Sequence, residues 1–149
     1  MPEFLETTVD KFTFKVATDR LYHPAGVWVL AEAGRVRIGL TDFLQQRSGD
    51  IAFVDVKPAG TRLIVEQEAA SIETIKVDVS LPSPVEGTVT RVNPDIEAAP
   101  EKINQDPYGE GWLCEIEADH WEADRAALLD PPAYFAQMQR EAEEETKKS

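Results

Sequence analysis

Short β-forming runs, broken at close intervals by proline and glycine, restrict this chain to a sheet structure made of many short strands. Phe12, Phe14 and Val16 alternate with Lys11, Thr13 and Lys15, which predicts an early strand or an ordered N-terminal extension over residues 1–20. Val27-Trp28-Val29-Leu30 and Arg35-Val36-Arg37-Ile38-Gly39-Leu40 flank Glu32-Ala33-Gly34, a hairpin pattern with glycine at its turn. Thr41 offers a capping oxygen to a short helix over residues 42–47, with Asp42 in its first turn, Gly49 at its exit and Phe43 and Leu44 facing the core. Residues 51–56, 61–65 and 84–92 read as strands separated by Pro58-Ala59-Gly60 and Leu81-Pro82-Ser83-Pro84. Pro100 suits the start of a one-turn helix, and residues 113–117 form a last strand with Cys114 inside. The class is therefore mainly β, a sandwich or barrel with short helices.

The character changes after Asp119. Residues 121–129, and those from Ala133 to about Glu143, read as helices interrupted by Pro131-Pro132, a C-terminal helical appendix over residues 119–140. Residues 141–149 concentrate Glu141, Glu143, Glu144 and Glu145 before Lys147 and Lys148 with no apolar side to pack, which predicts a frayed acidic tail. The length of 149 residues fits one domain with a single sizeable core.

Charge and cysteine usage narrow the partners. With 15 basic against 28 acidic side chains the net charge is −13, which opposes the phosphate attraction behind nucleic-acid binding and repels anionic membranes. No apolar run approaches the roughly 20 residues of a spanning helix, and the first residues lack the basic opening and apolar block of a secretory signal. One cysteine permits no internal disulfide, so a cytoplasmic, reducing location is expected.

Familiar catalytic patterns are missing: there is no Gly-x-Ser-x-Gly elbow and no phosphate loop, and Gly109-Glu110-Gly111 runs into Trp112 without a third glycine. His23 and His120 lie far apart and without cysteine partners, so both read as structural or solvated rather than as metal ligands. The acidic pairs Glu66 and Glu68, and Asp50 and Asp55, read as solvated faces, and Cys114 as a small core residue rather than a redox thiol.

One basic residue stands apart. In Ser71-Ile72-Glu73-Thr74-Ile75-Lys76-Val77-Asp78-Val79-Ser80, Lys76 separates an extended run from a strand in which Val77, Val79 and Leu81 alternate with Asp78 and Ser80. A hairpin with its tip near residues 74–76 lifts the ammonium clear of the body, although no Asn-Gly or Asp-Gly pair marks the turn. Ser83-Pro84-Val85-Glu86-Gly87 follows, and Gly87 lies eleven positions after Lys76. This arrangement resembles the lipoyl-lysine hairpin. Gly39-Leu40-Thr41-Asp42-Phe43, Ser48-Gly49-Asp50-Ile51-Ala52-Phe53-Val54, Asn93-Pro94 and the run from Asn104 to Leu113, with Asp106-Pro107-Tyr108-Gly109-Glu110-Gly111-Trp112 at its centre, resemble the glycine cleavage system H protein family in the same order.

The resemblance, from about Tyr22 to about Tyr134, implies a lipoyl/biotinyl-type barrel-sandwich hybrid over residues 21–118 and lipoic acid bound as an amide to Lys76. It also implies that Glu73 and Gly87 are read by the lipoylating enzyme. Simpler readings are that Glu73 solvates the tip and that Gly87 permits a turn with positive φ. In such a carrier the protein catalyses nothing. The cofactor supplies the chemistry and the rigid hairpin holds its arm among partner active sites at high effective concentration.

Departures from the family pattern suggest which pathway is served. The family's His-Glu-Trp motif becomes His23-Pro24-Ala25-Gly26-Val27-Trp28, without the glutamate, and Val77-Asp78-Val79 replaces small residues after the lysine. With the N-terminal extension and acidic tail, these are similar to the H-protein-like lipoate-binding proteins of bacterial sulfur oxidation, whose partner is a heterodisulfide-reductase-like complex. That pathway is narrowly favoured. The alternative is glycine cleavage, with an aminomethyl cargo and decarboxylase, aminomethyltransferase and dihydrolipoyl dehydrogenase as partners. An unmodified acidic docking module is a third reading. Biotin is disfavoured because Ile75 and Val77 replace the methionines usual around a biotinyl lysine. A monomer is expected, with Trp121, Tyr134 and Phe135 the residues whose joint exposure would signal association.

Overall fold

The computed structural model describes residues 3–148. They open with a hairpin of β1 (Phe4–Val9) and β2 (Phe12–Ala17), followed by β3 (Leu21–His23), β4 (Val27–Glu32), β5 (Arg35–Leu40) and helix α1 (Asp42–Ser48). Strands β6 (Ile51–Val56), β7 (Arg62–Leu63), β8 (Glu68–Thr74), β9 (Asp78–Pro82) and β10 (Gly87–Val92) lead to α2 (Glu101–Gln105) and β11 (Cys114–Ala118). The chain ends in α3 (Trp121–Asp124), a 3₁₀ turn (Arg125–Ala127) and the long helix α4 (Pro131–Lys148).

Two sheets carry the body. A six-stranded sheet runs β3-β4-β5-β11-β10-β7, and a three-stranded sheet runs β6-β8-β9. Period-2 alternation turns Val36 and Ile38 of β5, Val54 and Val56 of β6, Ile72 of β8 and Ile116 of β11 into one apolar interior. The mainly β class and the barrel-sandwich architecture expected from the sequence are what is found, with short helices closing the ends. Ala33 and Gly34, both at positive φ (54° and 79°), make the β4–β5 turn, which is the conformation that follows the right-handed twist of a hairpin. Thr41 caps α1 by accepting from the Leu44 N–H at 3.2 Å, and Phe43 and Leu44 are buried.

A second cluster, largely aromatic, joins the N-terminal hairpin, α1 and α4. Phe14 packs edge-on to Phe43 at 5.3 Å, and Tyr22 stacks on Tyr134 at 4.6 Å. The free edge of β2 is tied to α1 and the Tyr108 loop by side chains. The Lys15 N–H donates to Asp42 Oδ2 (2.9 Å), Gln46 Nε2 donates to the Thr13 carbonyl (2.9 Å), and the Tyr108 hydroxyl donates to the Lys15 carbonyl (2.8 Å). An edge strand whose backbone groups are occupied in this way is closed to pairing with another chain.

Several boundaries differ from expectation. The strand expected over residues 61–65 shortens to β7, because Glu66 at φ 78° turns the chain and leaves Ile64 and Val65 exposed. The helix expected over residues 121–129 stops early, since Leu129 leaves it to exchange backbone hydrogen bonds with Tyr22 at 2.8 and 2.9 Å. Helix α4 begins at Pro131 rather than after the proline pair. Neither proline needs a donor in the first turn, and Asp130 Oδ1 accepts from the Ala133 N–H at 2.9 Å. The tail expected to fray from Glu141 continues this helix to Lys148, and Ser149 lies outside the described residues. Its apolar side is Ala142, one step along the stripe Tyr134, Met138, Ala142 at a spacing of four, and all three are buried. Tyr134 is thus part of the core, and Trp121 and Phe135 are half-buried.

Candidate functional site

Strand β8 occupies the middle of its sheet, bonded on one side to β6 and on the other to β9, so its course is fixed by both neighbours. Beyond Thr74 the chain turns through Ile75, Lys76 and Val77 before β9 begins. A single hydroxyl organises this turn. Thr74 Oγ1 accepts from the Lys76 N–H (3.1 Å) and the Val77 N–H (3.0 Å), and donates to the Val77 carbonyl (3.1 Å). The Thr74 N–H also donates to the Val77 carbonyl at 2.9 Å. Threonine thereby supplies the constraint that an Asn-Gly pair supplies in two-residue turns. The sequence reading located the tip but missed Thr74 as its organiser; the signal was a hydroxyl residue two positions before the lysine.

Ile75 is fully exposed at the apex, Lys76 is exposed beside it, and Val77 is 41% exposed. The Lys76 amine donates to the Arg47 carbonyl at 3.1 Å, one of the last carbonyls of α1 that the helix itself leaves over. No carboxylate forms an ion pair with it among the described residues, Glu73 included. An amine on a projecting turn, held by one neutral acceptor, is open to acylation.

Glu73 and Asp78 face each other as cross-strand partners at the base of this turn, and Phe53 of β6 is Glu73's partner on the other side. Two carboxylates directly opposite cost a few tenths of a kcal/mol at an exposed position, so the fold gains nothing from them there. Gly87 lies elsewhere, at the start of β10 in the six-stranded sheet, paired with Ala118 and Leu63. Its φ is not positive, which corrects the simpler sequence reading. What it lacks is room: a Cβ there would stand 2.0 Å from the Glu117 carbonyl oxygen.

The remaining candidates are structural. His23 Nδ1 accepts from the Ala25 N–H at 2.9 Å, so Nε2 carries the proton and donates to Glu66 Oε1 at 2.5 Å. His120 sits exposed, 3.7 Å from Glu86. Burial, followed by the neighbouring Glu115 charge, pushes the Cys114 thiol up to about 12, which leaves it protonated and unreactive. Glu68 pairs with Lys57 at 3.7 Å, and Asp50 and Asp55 are exposed. The Asp106–Trp112 run folds around its own first residue, whose Oδ2 and carbonyl accept from Glu110, Gly109 and Gly111. The Pro107 carbonyl in the same run accepts from Trp28 Nε1 at 2.9 Å. The most distinctive stretch of the sequence is therefore a latch on the fold.

A lysine on a braced hairpin and this latch both lie within residues 20–141, the span matched by the family profile described as Glycine cleavage H-protein. The chain belongs to the glycine cleavage H-protein family. It is 44% identical over 126 residues to a protein described as "Probable glycine cleavage system H protein" from Natronomonas pharaonis, covering 85% of this chain and 98% of that one. It is 41% identical over 121 residues to the glycine cleavage system H protein of Chlorobium limicola, covering 80% of this chain and 94% of the other. The crystal structure of such a protein from Mycobacterium marinum superposes with a TM-score of 0.72 at 28% identity, over 80% of this chain and 96% of that one. The matched span begins after the N-terminal hairpin and ends within α4. The N-terminal hairpin and the last turns of α4 lie outside it.

Proposed function

We propose that the protein is a lipoyl carrier of glycine cleavage, with the arm bound as an amide to Lys76. The observation that carries this reading is the exposed amine on a turn braced by Thr74 at the end of a central strand, in a chain of this family. The group fits the site, because amide formation needs an accessible amine without a carboxylate partner and removes a charge that nothing on the hairpin neutralises. When bound, the lipoyl group supplies the thiol–disulfide chemistry and the carriage of the aminomethyl cargo. The chain's own residues hold the attachment nitrogen at a fixed place, keep the only cysteine of the sequence buried away from the arm's exchange chemistry, and leave the apex open to visiting enzymes.

The partners in this reading are the lipoylating enzyme, glycine decarboxylase, the aminomethyltransferase and dihydrolipoyl dehydrogenase, and Glu73 contributes to recognition by the first. The sulfur-oxidation pathway favoured on the motif departures draws no support from the relatives, which are glycine cleavage H proteins. The missing glutamate of the His-Glu-Trp motif and the valines around Lys76 are differences within that family.

The test has two stages. Incubation with a lipoate–protein ligase, ATP and lipoic acid adds one lipoyl increment to the intact mass, and Lys76→Ala abolishes it; an increment surviving in Lys76→Ala, or absent from the unaltered protein, overturns the carrier reading. The lipoylated protein then gains an aminomethyl increment with glycine and glycine decarboxylase. A lipoylated protein that gains none overturns the pathway while the carrier stands.

A further inference from the structure

We propose that the groove beside Lys76, walled in part by segments outside the family span, is a docking surface for the enzyme that acylates the lysine. The inference rests on Lys76 being the attachment site. The groove has a volume of about 670 Å³, and Lys76 and the acceptor of its amine, Arg47, both line it. Its apolar lining is Val9, Phe12 and Phe14 of the N-terminal hairpin, Phe43 of α1, Val77 and Val79 beside the lysine, and Ala142 of α4. Val9, Phe12, Phe14 and Ala142 lie outside residues 20–141. Phe12 is 54% exposed here, an aromatic ring that the fold leaves half uncovered.

The occupant follows from where the nitrogen stands. Enzymes that use the finished arm react at its far end, a full acyl chain away from Nζ. The acylating enzyme alone has to bring a reacting carbon into bonding range of Nζ itself, and therefore against the groove walls. In the transfer, the deprotonated Nζ forms a C–N bond to the carbonyl carbon of lipoyl adenylate. The bond from that carbon to the phosphate oxygen breaks, AMP leaves with the electron pair, and the ammonium proton passes to solvent. The hydrogen bond to the Arg47 carbonyl has to open first. Asp10, Asp78 and Glu145 outnumber Arg47 and Lys76 around the groove, and acylation removes the Lys76 charge, in a chain of net charge −13, so the fitting surface on the enzyme is an apolar projection flanked by basic side chains. The wall is firm, because β2 is bonded to α1 through Asp42 and Gln46 and α4 is tied to Arg47 by Glu145 at 3.5 Å.

Steady-state lipoylation by the lipoate–protein ligase from the same source, followed by intact mass, tests this. Phe12→Asp is expected to raise KM for the carrier about tenfold, the scale of a buried interface anchor, with kcat and melting temperature unchanged. Thr90→Asp, a change at an exposed position on β10 of the other sheet, is expected to match the unaltered protein. Phe12→Ser, which adds no charge, is expected to raise KM by a smaller factor, so a fold defect in Phe12→Asp does not decide the outcome. An unchanged KM in folded Phe12→Asp and Phe12→Ser overturns the proposal. So does sedimentation showing a dimer that Phe12→Asp dissociates, which assigns the groove to a second copy. Equal kcat and KM in all variants, with amide NMR shifts on lipoylation confined to Val9, Phe12 and Ala142, assigns the groove to the arm and overturns it likewise. Failure of the unaltered protein to accept lipoate is distinct from these results, and removes the carrier reading and this one together.

Discussion

Gly87 separates a recognition role from a packing role, because the structure predicts a large effect of the smallest substitution. In Gly87→Ala the new Cβ starts 2.0 Å from the Glu117 carbonyl oxygen, 2.9 Å from its carbon and 3.0 Å from Ile116 Cγ2. Reaching even 3.0 Å from the oxygen requires β10 and β11 to part by about 1 Å, and two of these three atoms are backbone held in the ladder. Parting stretches the Asp119 N–H to Glu86 carbonyl bond, now 2.9 Å, to about 3.9 Å, beyond hydrogen-bonding range. Overpacking at about 1–3 kcal/mol and one or two lost bonds at about 1 kcal/mol each give a destabilisation of about 2–5 kcal/mol. For a domain of this size that lowers the melting temperature by about 4–20 °C. Thermal unfolding followed by circular dichroism measures it, and a variant melting within about 2 °C of the unaltered protein refutes the steric reasoning. Lipoylation kinetics at a temperature where the variant stays folded complete the argument. An unchanged KM assigns the glycine to packing, whereas a raised KM with unperturbed melting assigns it to recognition by the acylating enzyme.

Two further perturbations address the turn and the interior. Thr74→Val keeps the shape of the side chain and removes the acceptor of the Lys76 and Val77 N–H groups. Amide hydrogen exchange at those two positions is expected to quicken with a global cost of about 1 kcal/mol, since water replaces the lost acceptor at an exposed turn, and unchanged exchange there refutes the role given to the hydroxyl. At high pH, burial holds the Cys114 thiol protonated to about 12 against 9.0 when unfolded, and raises Tyr22, Tyr108 and Tyr134 above 10.0. The unfolded chain then binds fewer protons, so stability is complete below pH 9 and falls above it, by up to about 1.4 kcal/mol per pH unit for each such group. Melting temperatures across this range are expected to decline from about pH 9, with the first part of the decline absent in Cys114→Ala; a flat profile to about pH 11 refutes the burial argument.

The sequence made legible those features whose signal is local. The Thr41 cap, the Ala33-Gly34 turn, the buried Cys114 strand and the projecting Lys76 each follow from residues a few positions apart. Strand β1 escaped because only Leu5 and Val9 mark its inner side, with Thr7 between them, too weak an alternation without the partner that β2 supplies. The last turns of α4 escaped because one small apolar residue, Ala142, sits among glutamates, and its value depends on the Tyr134 and Met138 positions before it. Gly87 reads as a turn residue in a sequence, while its reason is the backbone of Glu117, thirty positions on and visible only when the sheet is assembled. The groove is of the same kind, since its walls come from both ends and the middle of the chain.

A carrier needs a fixed attachment point and an unobstructed arm, and the two demands conflict on an ordinary loop. Here they are divided along a few residues of one hairpin. Ile72 is buried in the middle strand of its sheet, Glu73 still has cross-strand partners on both sides, and Thr74 closes the turn, whereas Ile75 is wholly exposed and Lys76 carries the amine outward. Four residues of extended chain reach at most about 14 Å from the buried anchor, so the nitrogen is displaced from the core without being released from it. Placing the lysine on an edge strand would give the same exposure with half the bracing. The Arg47 carbonyl adds a resting acceptor that acylation can displace without leaving a buried donor unpaired, since both groups lie at the surface. Stiffness of the strand and turn backbone and exposure of the side chains at its apex are thus properties of the strand order, and in the proposed reading the arm's range starts from a point the sheet defines.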